Sequence, residues 1–263
     1  MGNLHKSYYK DYFNGVFRLE GNEVKRNKEE IIEKNKKLVE TQLEPIDKIS
    51  SVTHTFELKT LYPGLITGVG INHEVGIEGE FKLGVHFDYT YGMPVVYGSS
   101  VKGILSEYFE DFFKTKFPNL EEYANDFFND IFEGKTRHDK IDENGKPVKG
   151  YDNKSIYNRD IFFDAVIVEA YKQQGKLDKI LDSDTLCPHG TNPLKNPIPI
   201  SFLKIASGVK MEFRFKLVDS EIGNKKLTAD EKKTIFETIL KTVGVGAKTN
   251  VGYGQFTDIK PEK

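Results

Sequence analysis

The chain has 263 residues, of which 38% are hydrophobic and 30% are charged, and its formal net charge is −2. This composition is typical of a globular protein with one large or two small domains. The near-zero charge argues against nucleic-acid binding through bulk basicity, because neutralising phosphates requires clustered lysine and arginine.

The chain has a single cysteine, Cys187, which cannot form an internal disulfide. Its first residues lack the apolar segment of a secretory signal, and no apolar run approaches the roughly 18 residues of a membrane-spanning helix. We therefore expect a cytoplasmic protein without a membrane segment.

Residues 1–50 are predicted to form a peripheral N-terminal arm, followed by one domain over 51–263. The arm contains a charged segment, "NKEEIIEKNKKLVETQLEP", that predicts a helix ended by Pro45. From Val52, "VTHTFELKT" alternates apolar and polar residues, which predicts the first core strand. The glycine-rich stretch from 61 to 100 predicts hairpins and loops, including one at "FKLGVHF".

A helix is predicted to start after Ser99 and Ser100, with Ser100 as its N-cap. Its apolar positions share one face at helical spacing. They are Val101, Ile104, Leu105, Tyr108, Phe109, Phe112 and Phe113.

The second half of the chain opens with a polar insertion at about 136–160, predicted to be extended or partly disordered because it has few large aliphatic residues. Strands are predicted at "DIFFDAVIVE" and "GVKMEFRFKLVD", and the proline-rich segment from 187 to 202 is predicted to be a surface loop.

The last predicted helix has a capping box formed by Thr228 and Glu231, and a final strand covers about 251–259. The order strand, helix, strand, strand, helix, strand predicts an α+β, ferredoxin-like βαββαβ core with insertions. The helices are expected on one face of its antiparallel sheet, with the other face free.

The segment "VGVGAKTNVGYGQF" near the C-terminus is a candidate phosphate site. It does not match a P-loop, because Ala247 and Thr242 occupy the two required glycine positions. The dinucleotide-binding fingerprint fails on spacing, and the RNA-recognition signature matches only Gly252 to Gly254. Two interpretations remain open: backbone N–H groups turned toward an anion, or a helix C-cap with a closely packed turn.

A second candidate site is "YGSSVKG", where a strand leads into the helix start. The free N–H groups of a first helical turn attract phosphate, and Lys102 adds a positive charge. An ordinary serine N-cap with a surface lysine remains the alternative.

Together, "GMPVVYGSSVKGIL" and "GVGAKTNVGYGQF" resemble the RAMP superfamily of CRISPR effector subunits, in which a P-G-[ST]-S-x-K-G helix start accompanies a C-terminal glycine-rich loop. The segments "NHEVGIEGEFKLGVHFDYTYGMPVVYGSSVKG" and "PHGTNPLKNPIPISFLKIASGVKMEFRF" extend the similarity, which is greatest to the sixth subunit of the type III-B, or Cmr, complex. It spans about Leu61 to Phe256. Tyr97 departs from the pattern, since proline is usual there.

The resemblance implies an RRM-like RAMP core and a non-catalytic, RNA-binding subunit of a CRISPR antiviral complex, near the 3′ end of the guide. Implied partners are guide RNA, target RNA, the repeating backbone RAMP subunit, the first Cmr subunit and the small helical subunit. No cofactor or metal is expected. The RNA-binding residues are expected to be Gly98, Ser99, Ser100, Lys102, Gly103, Gly244, Gly246, Lys248, Thr249, Asn250, Gly252, Tyr253 and Gly254, with Tyr253 stacking on a base.

The alternative is a RAMP endoribonuclease that processes or cleaves CRISPR or target RNA. The acid and histidine candidates for it lack a recognised metal-ligand spacing, and no catalytic residue is expected. They are His73 with Glu74, His86 with Asp88, His138 with Asp139, and Asp184 with His189.

The 136–160 insertion is interpreted either as a thumb between guide and target, using Arg137, Lys146, Lys149 and Arg159, or as a solvated loop.

Overall fold

The protein is built from one main sheet, several hairpins and five α-helices in the described residues, of which the longest have 19 and 15 residues. The structure is a computed structural model that describes residues 3–46, 49–68, 77–82, 84–141, 144, 146–172, 178–187 and 199–259. Its α-helices are α1 (Leu4–Tyr9), α2 (Lys28–Val39), α3 (Gly98–Lys116), α4 (Ala124–Phe128) and α5 (Ala229–Val243). Its strands are β1 (Phe17–Glu20), β2 (Glu23–Arg26), β3 (His54–Thr60), β4 (Val95–Val96), β5 (Lys135–Ile141), β6 (Pro147–Asn153), β7 (Ile161–Phe162), β8 (Ala165–Glu169), β9 (Leu181–Leu186), β10 (Ile200–Ile205), β11 (Lys210–Lys216), β12 (Ser220–Ile222), β13 (Lys225–Leu227) and β14 (Phe256–Thr257).

The main sheet has the strand order β14-β3-β11-β8-β4, with β7 also pairing with β11, and all neighbours are antiparallel. Without the short edge strand β4, the order of the four core strands is fourth, first, third, second. Helix α3 lies in the chain between β3 and β8, and α5 between β11 and β14. This arrangement confirms the predicted ferredoxin-like α+β core.

The core is formed by the apolar face of the two central strands. Phe56 of β3 is paired with Phe213 of β11, and their rings stack at 5.4 Å. Phe236 of α5 lies 5.6 Å from Phe215, so this helix packs on the same face. The observed alternation of buried and exposed side chains confirms both predicted strands, and the capping box of Thr228 is also present.

The sequence predicted that the opposite face of the sheet is free, but the structure covers part of it. Val166 and Arg214 on this face are buried, and with Ile46 and Tyr91 they line a cavity of ≈ 310 Å³. Glu57 and Lys59 of the same face are exposed. Arg214 is buried and donates two hydrogen bonds of 3.1 Å to the carbonyl oxygen of Asp164.

Several residues of the N-terminal arm pack into the core, whereas the sequence predicted a peripheral segment. Leu4, Tyr8 and Tyr12 are buried in the same hydrophobic cluster as the sheet residues. The Tyr12 hydroxyl also accepts a 2.9 Å hydrogen bond from the N–H of Phe81. Helix α2 ends at Val39, before Pro45. The division of the chain at residue 51 stays a prediction.

The 136–160 insertion contains a paired hairpin, β5 with β6, where the sequence predicted an extended or partly disordered segment. Buried charge replaces the missing aliphatic core. Asp126 accepts hydrogen bonds from Arg137 at 2.7 Å and from the Tyr151 hydroxyl at 2.5 Å. Lys154 Nζ donates a hydrogen bond to Asp130 Oδ1 at 2.8 Å.

At three further places the observed secondary structure covers other residues than the sequence predicted. The described part of "FKLGVHF" forms no strand, only a bridge between Phe87 and Pro94. Strands β9 and β10 form a hairpin that was not predicted, and residues 188–198 of the expected surface loop lie outside the described residues. The final strand is short because a 3₁₀ turn, Thr249–Val251, precedes it. Across the described ranges, no helix is both long enough and apolar enough to cross a membrane.

Candidate nucleic-acid interface

The glycine-rich loop joins α5 to β14 and is hydrogen-bonded to the segment 61–66. The N–H of Val245 donates to the carbonyl of Gly254 at 3.0 Å, and the N–H of Gly254 donates to that of Gly64 at 2.8 Å. The N–H of Ala247 donates to the carbonyl of Ile66 at 2.8 Å. These donors are used inside the protein, so the loop does not turn a continuous row of N–H groups toward one anion.

Most glycines of this loop are closely surrounded by backbone atoms. A Cβ at Gly254 would overlap the carbonyl oxygen of Val245 and would lie 3.1 Å from its carbon. Gly244 and Gly246 are closed in by carbonyl groups in a similar way. Gly252 differs, because the nearest atom to its Cβ would be Pro63 Cδ at 3.5 Å. The packed-turn interpretation therefore accounts for three of the four glycines.

The apex of the loop presents Lys248 and Asn250 to solvent, with Thr249 half-buried between them. Lys248 has φ of +60° and is the only non-glycine residue with positive φ in the described part of the chain. The N–H of Val251 donates to the Lys248 carbonyl at 3.1 Å, and that of Gly252 donates to the Thr249 carbonyl at 3.2 Å. The apex is thus a defined turn.

Tyr253, the residue expected to stack on a base, is buried beneath the loop with 7% of its surface exposed. Its hydroxyl lies 2.9 Å from Asp184 Oδ2, which also accepts a 2.7 Å hydrogen bond from Lys204. Its ring contacts Phe202 edge to face at 6.0 Å. The expectation that Tyr253 stacks on RNA therefore does not fit this arrangement.

The electrostatics of this buried cluster follow from its contacts. Burial, followed by the hydrogen bond to Asp184, raises the pKa of Tyr253 to about 12. Burial also raises the pKa of Asp184, but hydrogen bonds from Lys204, from the N–H of Thr185 and from Tyr253 outweigh it, so the pKa is lowered overall. Asp184 is therefore an ionised structural anchor.

The second motif forms the start of α3, but the helix begins earlier than predicted. Its first residue is Gly98 and its N-cap is Tyr97, in place of Ser100. The N–H of Gly98 donates to Asp164 Oδ1 at 2.7 Å, so a carboxylate of the protein already occupies part of this helix N-terminus. Gly98 is also packed against the carbonyl of Phe162.

The side chains of Ser99, Ser100 and Lys102 are exposed on the first turn of α3. Within the described residues, Lys102 has no acidic partner. Gly103 is the most open of the candidate glycines, since a Cβ there would meet no atom within 4 Å. This turn therefore leaves both a cation and a stretch of backbone accessible.

The two motifs do not touch. The glycine-rich loop adjoins β3 and β14, whereas the α3 start packs against Phe162 of β7, which pairs with β11. His86 contacts a residue next to each motif: its N–H donates to Thr67 Oγ1 at 2.8 Å, and its ring stacks on Tyr97 at 4.4 Å.

The other acid and histidine candidates are placed separately. Asp88 accepts hydrogen bonds from the N–H groups of Thr90 and Tyr91, which is a turn-stabilising role. His138 Nδ1 lies 2.9 Å from Asp152 Oδ2 on the β5–β6 hairpin. The pair His73 and Glu74, and His189, lie outside the described residues. Where residues are described, no three His, Cys, Asp or Glu side chains are grouped as a metal site requires.

Basic residues of the 136–160 insertion, one interpretation of which is a thumb, form ion pairs and hydrogen bonds within the protein. Arg137 is paired with Asp126, and Arg159 Nε donates to the carbonyl of Lys154 at 3.0 Å. Lys146 and Lys149 are exposed on β6 and the turn before it, and Lys149 Nζ lies 3.8 Å from Asp126 Oδ2. The sequence did not reveal these pairings with Asp126, because that residue lies outside the polar segment.

Comparison with known proteins gives a family match and distant structural likenesses. The family described as the RAMP superfamily matches residues 57–257, which is more than half of the chain. No curated protein sequence matches. A cryo-EM structure of the type III-B Cmr-beta complex bound to cognate target RNA contains a similar chain, with 22% identity and a TM-score of 0.49, covering 78% of this chain and 58% of that one. This chain therefore spans a little over half the length of that relative.

The crystal structure of Cmr6 from Pyrococcus furiosus is similar at 18% identity and a TM-score of 0.38, covering 81% of this chain and 100% of that one. An apo-state structure of Cmr-beta gives 13% identity and a TM-score of 0.40, covering 77% of this chain and 94% of that one. The family match carries the assignment that follows.

Proposed function

Because this chain belongs to the RAMP superfamily, we propose that it is an RNA-binding subunit of a type III-B CRISPR effector complex and has no catalytic activity of its own. Its place is near the 3′ end of the guide, where it holds guide and target RNA. The proposed partners are the repeating backbone RAMP subunit, the first Cmr subunit and the small helical subunit, in the cytoplasm. The motif similarity around "YGSSVKG" and "GVGAKTNVGYGQF" supports this proposal.

The observation that carries the proposal is the left-handed conformation of Lys248. A side chain other than glycine costs roughly 1–2 kcal/mol in this region. Glycine would remove that cost, yet the position holds a lysine whose side chain is exposed at the loop apex and has no acidic partner in the described structure. Local strain at an exposed cation supports a binding role.

The ligand that fits is the RNA backbone. Lys248 and Asn250 offer an ammonium and an amide to phosphate or ribose oxygens, and Ser99 and Lys102 offer a similar set at the α3 start. The separation of the two motifs suits two different phosphates of a strand. A subunit of a filament contacts few nucleotides, so a net charge of −2 does not oppose this role.

The test compares Lys248→Gly with Lys248→Arg, measuring stability and the affinity for single-stranded RNA at several salt concentrations. Lys248→Gly is expected to be at least as stable as the wild type, because glycine accepts the left-handed conformation. It should nevertheless bind RNA more weakly, with the slope of log affinity against log salt reduced by about 0.7 for one lost phosphate contact. Lys248→Arg should keep the slope.

The control is Lys36→Ala, which removes an exposed lysine from α2. It is expected to leave the salt slope unchanged. If Lys248→Gly and Lys102→Ala both retain the affinity and slope of the wild type, the glycine-rich loop and the α3 start do not contact phosphates, and the proposal fails.

The alternative function, an endoribonuclease, is favoured by one observation. His86 contacts Thr67 and Tyr97, beside the two motifs, and burial lowers the pKa of its ring, which favours the neutral form that accepts a proton. Its Nδ1 has no hydrogen-bond partner among the described residues. Cleavage of guide or target RNA by the purified chain, with or without divalent metal, that is lost in His86→Ala would establish this function over the binding-only one.

A further inference from the structure

Tyr62 is the aromatic side chain that adjoins the glycine-rich loop and faces solvent. Its exposed fraction is 84%, compared with 7% for Tyr253 on the other side of the same loop. An aromatic ring this exposed buries almost none of its apolar surface in the fold. Its contribution to the packed core is therefore small, and a role in contact with another molecule accounts for it better.

The backbone holds Tyr62 in a defined position. The N–H of Leu61 donates to the carbonyl of Gln255 at 2.9 Å, and the N–H of Gly64 donates to that of Leu61 at 2.8 Å. The N–H of Gly254 then donates to the carbonyl of Gly64 at 2.8 Å. Hydrogen bonds on both sides of Tyr62 tie it to the loop, so little backbone freedom is lost when its ring binds a ligand.

The surroundings of Tyr62 suit a nucleic acid. A Cβ on Gly252 would lie 3.5 Å from Pro63 Cδ, so Tyr62 is next in the chain to a residue beside the turn that carries Lys248 and Asn250. The apex therefore offers an exposed cation and an amide, and Val251 adds exposed apolar surface. A flat aromatic ring next to phosphate-binding groups is the combination that single-stranded RNA requires, because bases stack while the backbone is neutralised.

We propose that Tyr62 is a stacking site for one unpaired base of the RNA strand whose phosphates contact Lys248 and Asn250. This inference rests on the proposed RNA binding at the glycine-rich loop. It assigns to Tyr62 the role that the sequence suggested for Tyr253. A ring contact is tolerant of base identity, so the site contributes affinity and positioning and does not select a sequence.

The first experiment measures the affinity of the purified chain for a single-stranded RNA after Tyr62→Ala and Tyr62→Phe. Loss of one stacked base should weaken binding by about 5- to 150-fold in Tyr62→Ala. Tyr62→Phe keeps the ring and should bind like the wild type. Tyr89→Ala is the matched control, because this residue is 70% exposed and its ring lies beside His5 and Lys10 of the N-terminal arm.

A second experiment locates the base. One nucleotide at a time is replaced by an abasic nucleotide, and the affinities of the wild type and Tyr62→Ala are compared. An abasic nucleotide at the stacked position should lower the RNA affinity of the wild type to that of Tyr62→Ala. At every other position, the wild type should still bind the RNA more tightly than Tyr62→Ala.

A third readout is optical. The chain has no tryptophan, so Tyr62→Trp introduces a single tryptophan, which can be excited selectively over the tyrosines and whose emission should be quenched by the stacked base. Unchanged emission on RNA binding, together with unchanged affinity of Tyr62→Ala, overturns the stacking site and would leave Tyr62 as a contact for protein.

The outcomes separate the two proposals. If Lys248→Gly weakens RNA binding and Tyr62→Ala does not, the stacking inference alone is wrong. If the wild type binds no RNA, both proposals are overturned.

Discussion

Gly254→Ala tests whether the glycine-rich loop is shaped mainly by internal packing. The added Cβ would overlap the carbonyl oxygen of Val245 and lie 3.4 Å from Leu65 Cδ1. Because the blocking atom belongs to the backbone, it cannot rotate away as a side chain would. The loop must shift, which disturbs the hydrogen bonds that join Gly254 to Val245 and to Gly64.

The expected loss of stability follows from two contributions. The left-handed φ of +68° costs an alanine roughly 1–2 kcal/mol. Disturbing two backbone hydrogen bonds adds about 0.5–1.5 kcal/mol for each. The total is therefore roughly 2–5 kcal/mol, a large part of the stability of a typical domain.

Gly252→Ala is the matched control, because Gly252 also has a left-handed φ, +98°, but a Cβ there would be 3.5 Å from its nearest neighbour. Only the conformational cost of roughly 1–2 kcal/mol should remain. Urea unfolding followed by circular dichroism gives both free energies. If the two variants lose the same stability within about 0.5 kcal/mol, internal packing does not account for Gly254.

Three further variants test other parts of the structure. Gly103→Ala should stabilise α3 by about 0.5–1 kcal/mol, because the Cβ has open space, while reducing RNA affinity if the RNA backbone approaches there. Lys232→Met should destabilise the protein by about 3–5 kcal/mol, because it leaves Asp160 buried without its 2.6 Å partner. Asp184→Asn should destabilise the protein most at neutral pH. The pKa of Asp184 is lowered in the fold, so its stabilisation is present above the unfolded pKa and is lost as the pH falls through the folded value.

Each of these has a decisive measurement. Thermal unfolding and RNA binding are measured together for Gly103→Ala, and a loss of stability would show that the site is not open. For Lys232→Met, the free energy of unfolding in urea is compared with that of the double variant that carries both Lys232→Met and Asp160→Asn. Burial raises the pKa of Asp160 and lowers that of Lys232, so the double variant should recover part of the loss; no recovery would refute a coupled pair. A stability difference for Asp184→Asn that grows below pH 4 would contradict the ion pair with Lys204.

Local patterns in the sequence determined much of the framework. The alternation around Phe56 and Phe213 identifies the buried faces of the central strands, because side chains of a strand point to opposite sides. The capping box of Thr228 with Glu231 marks the start of α5 through groups only three residues apart. The order of these elements was sufficient for the ferredoxin-like core.

Tertiary structure alone decided which residues of the candidate site face solvent. The N–H of Gly98, at the start of α3, donates a hydrogen bond to Asp164, 66 residues away in the chain. The Tyr253 hydroxyl donates a hydrogen bond to Asp184, 69 residues away in the chain, and the Tyr253 ring is buried. The Tyr62 side chain is exposed. Such long-range partners leave no periodic signal, because periodicity records which face of an element is buried and not the group that meets it.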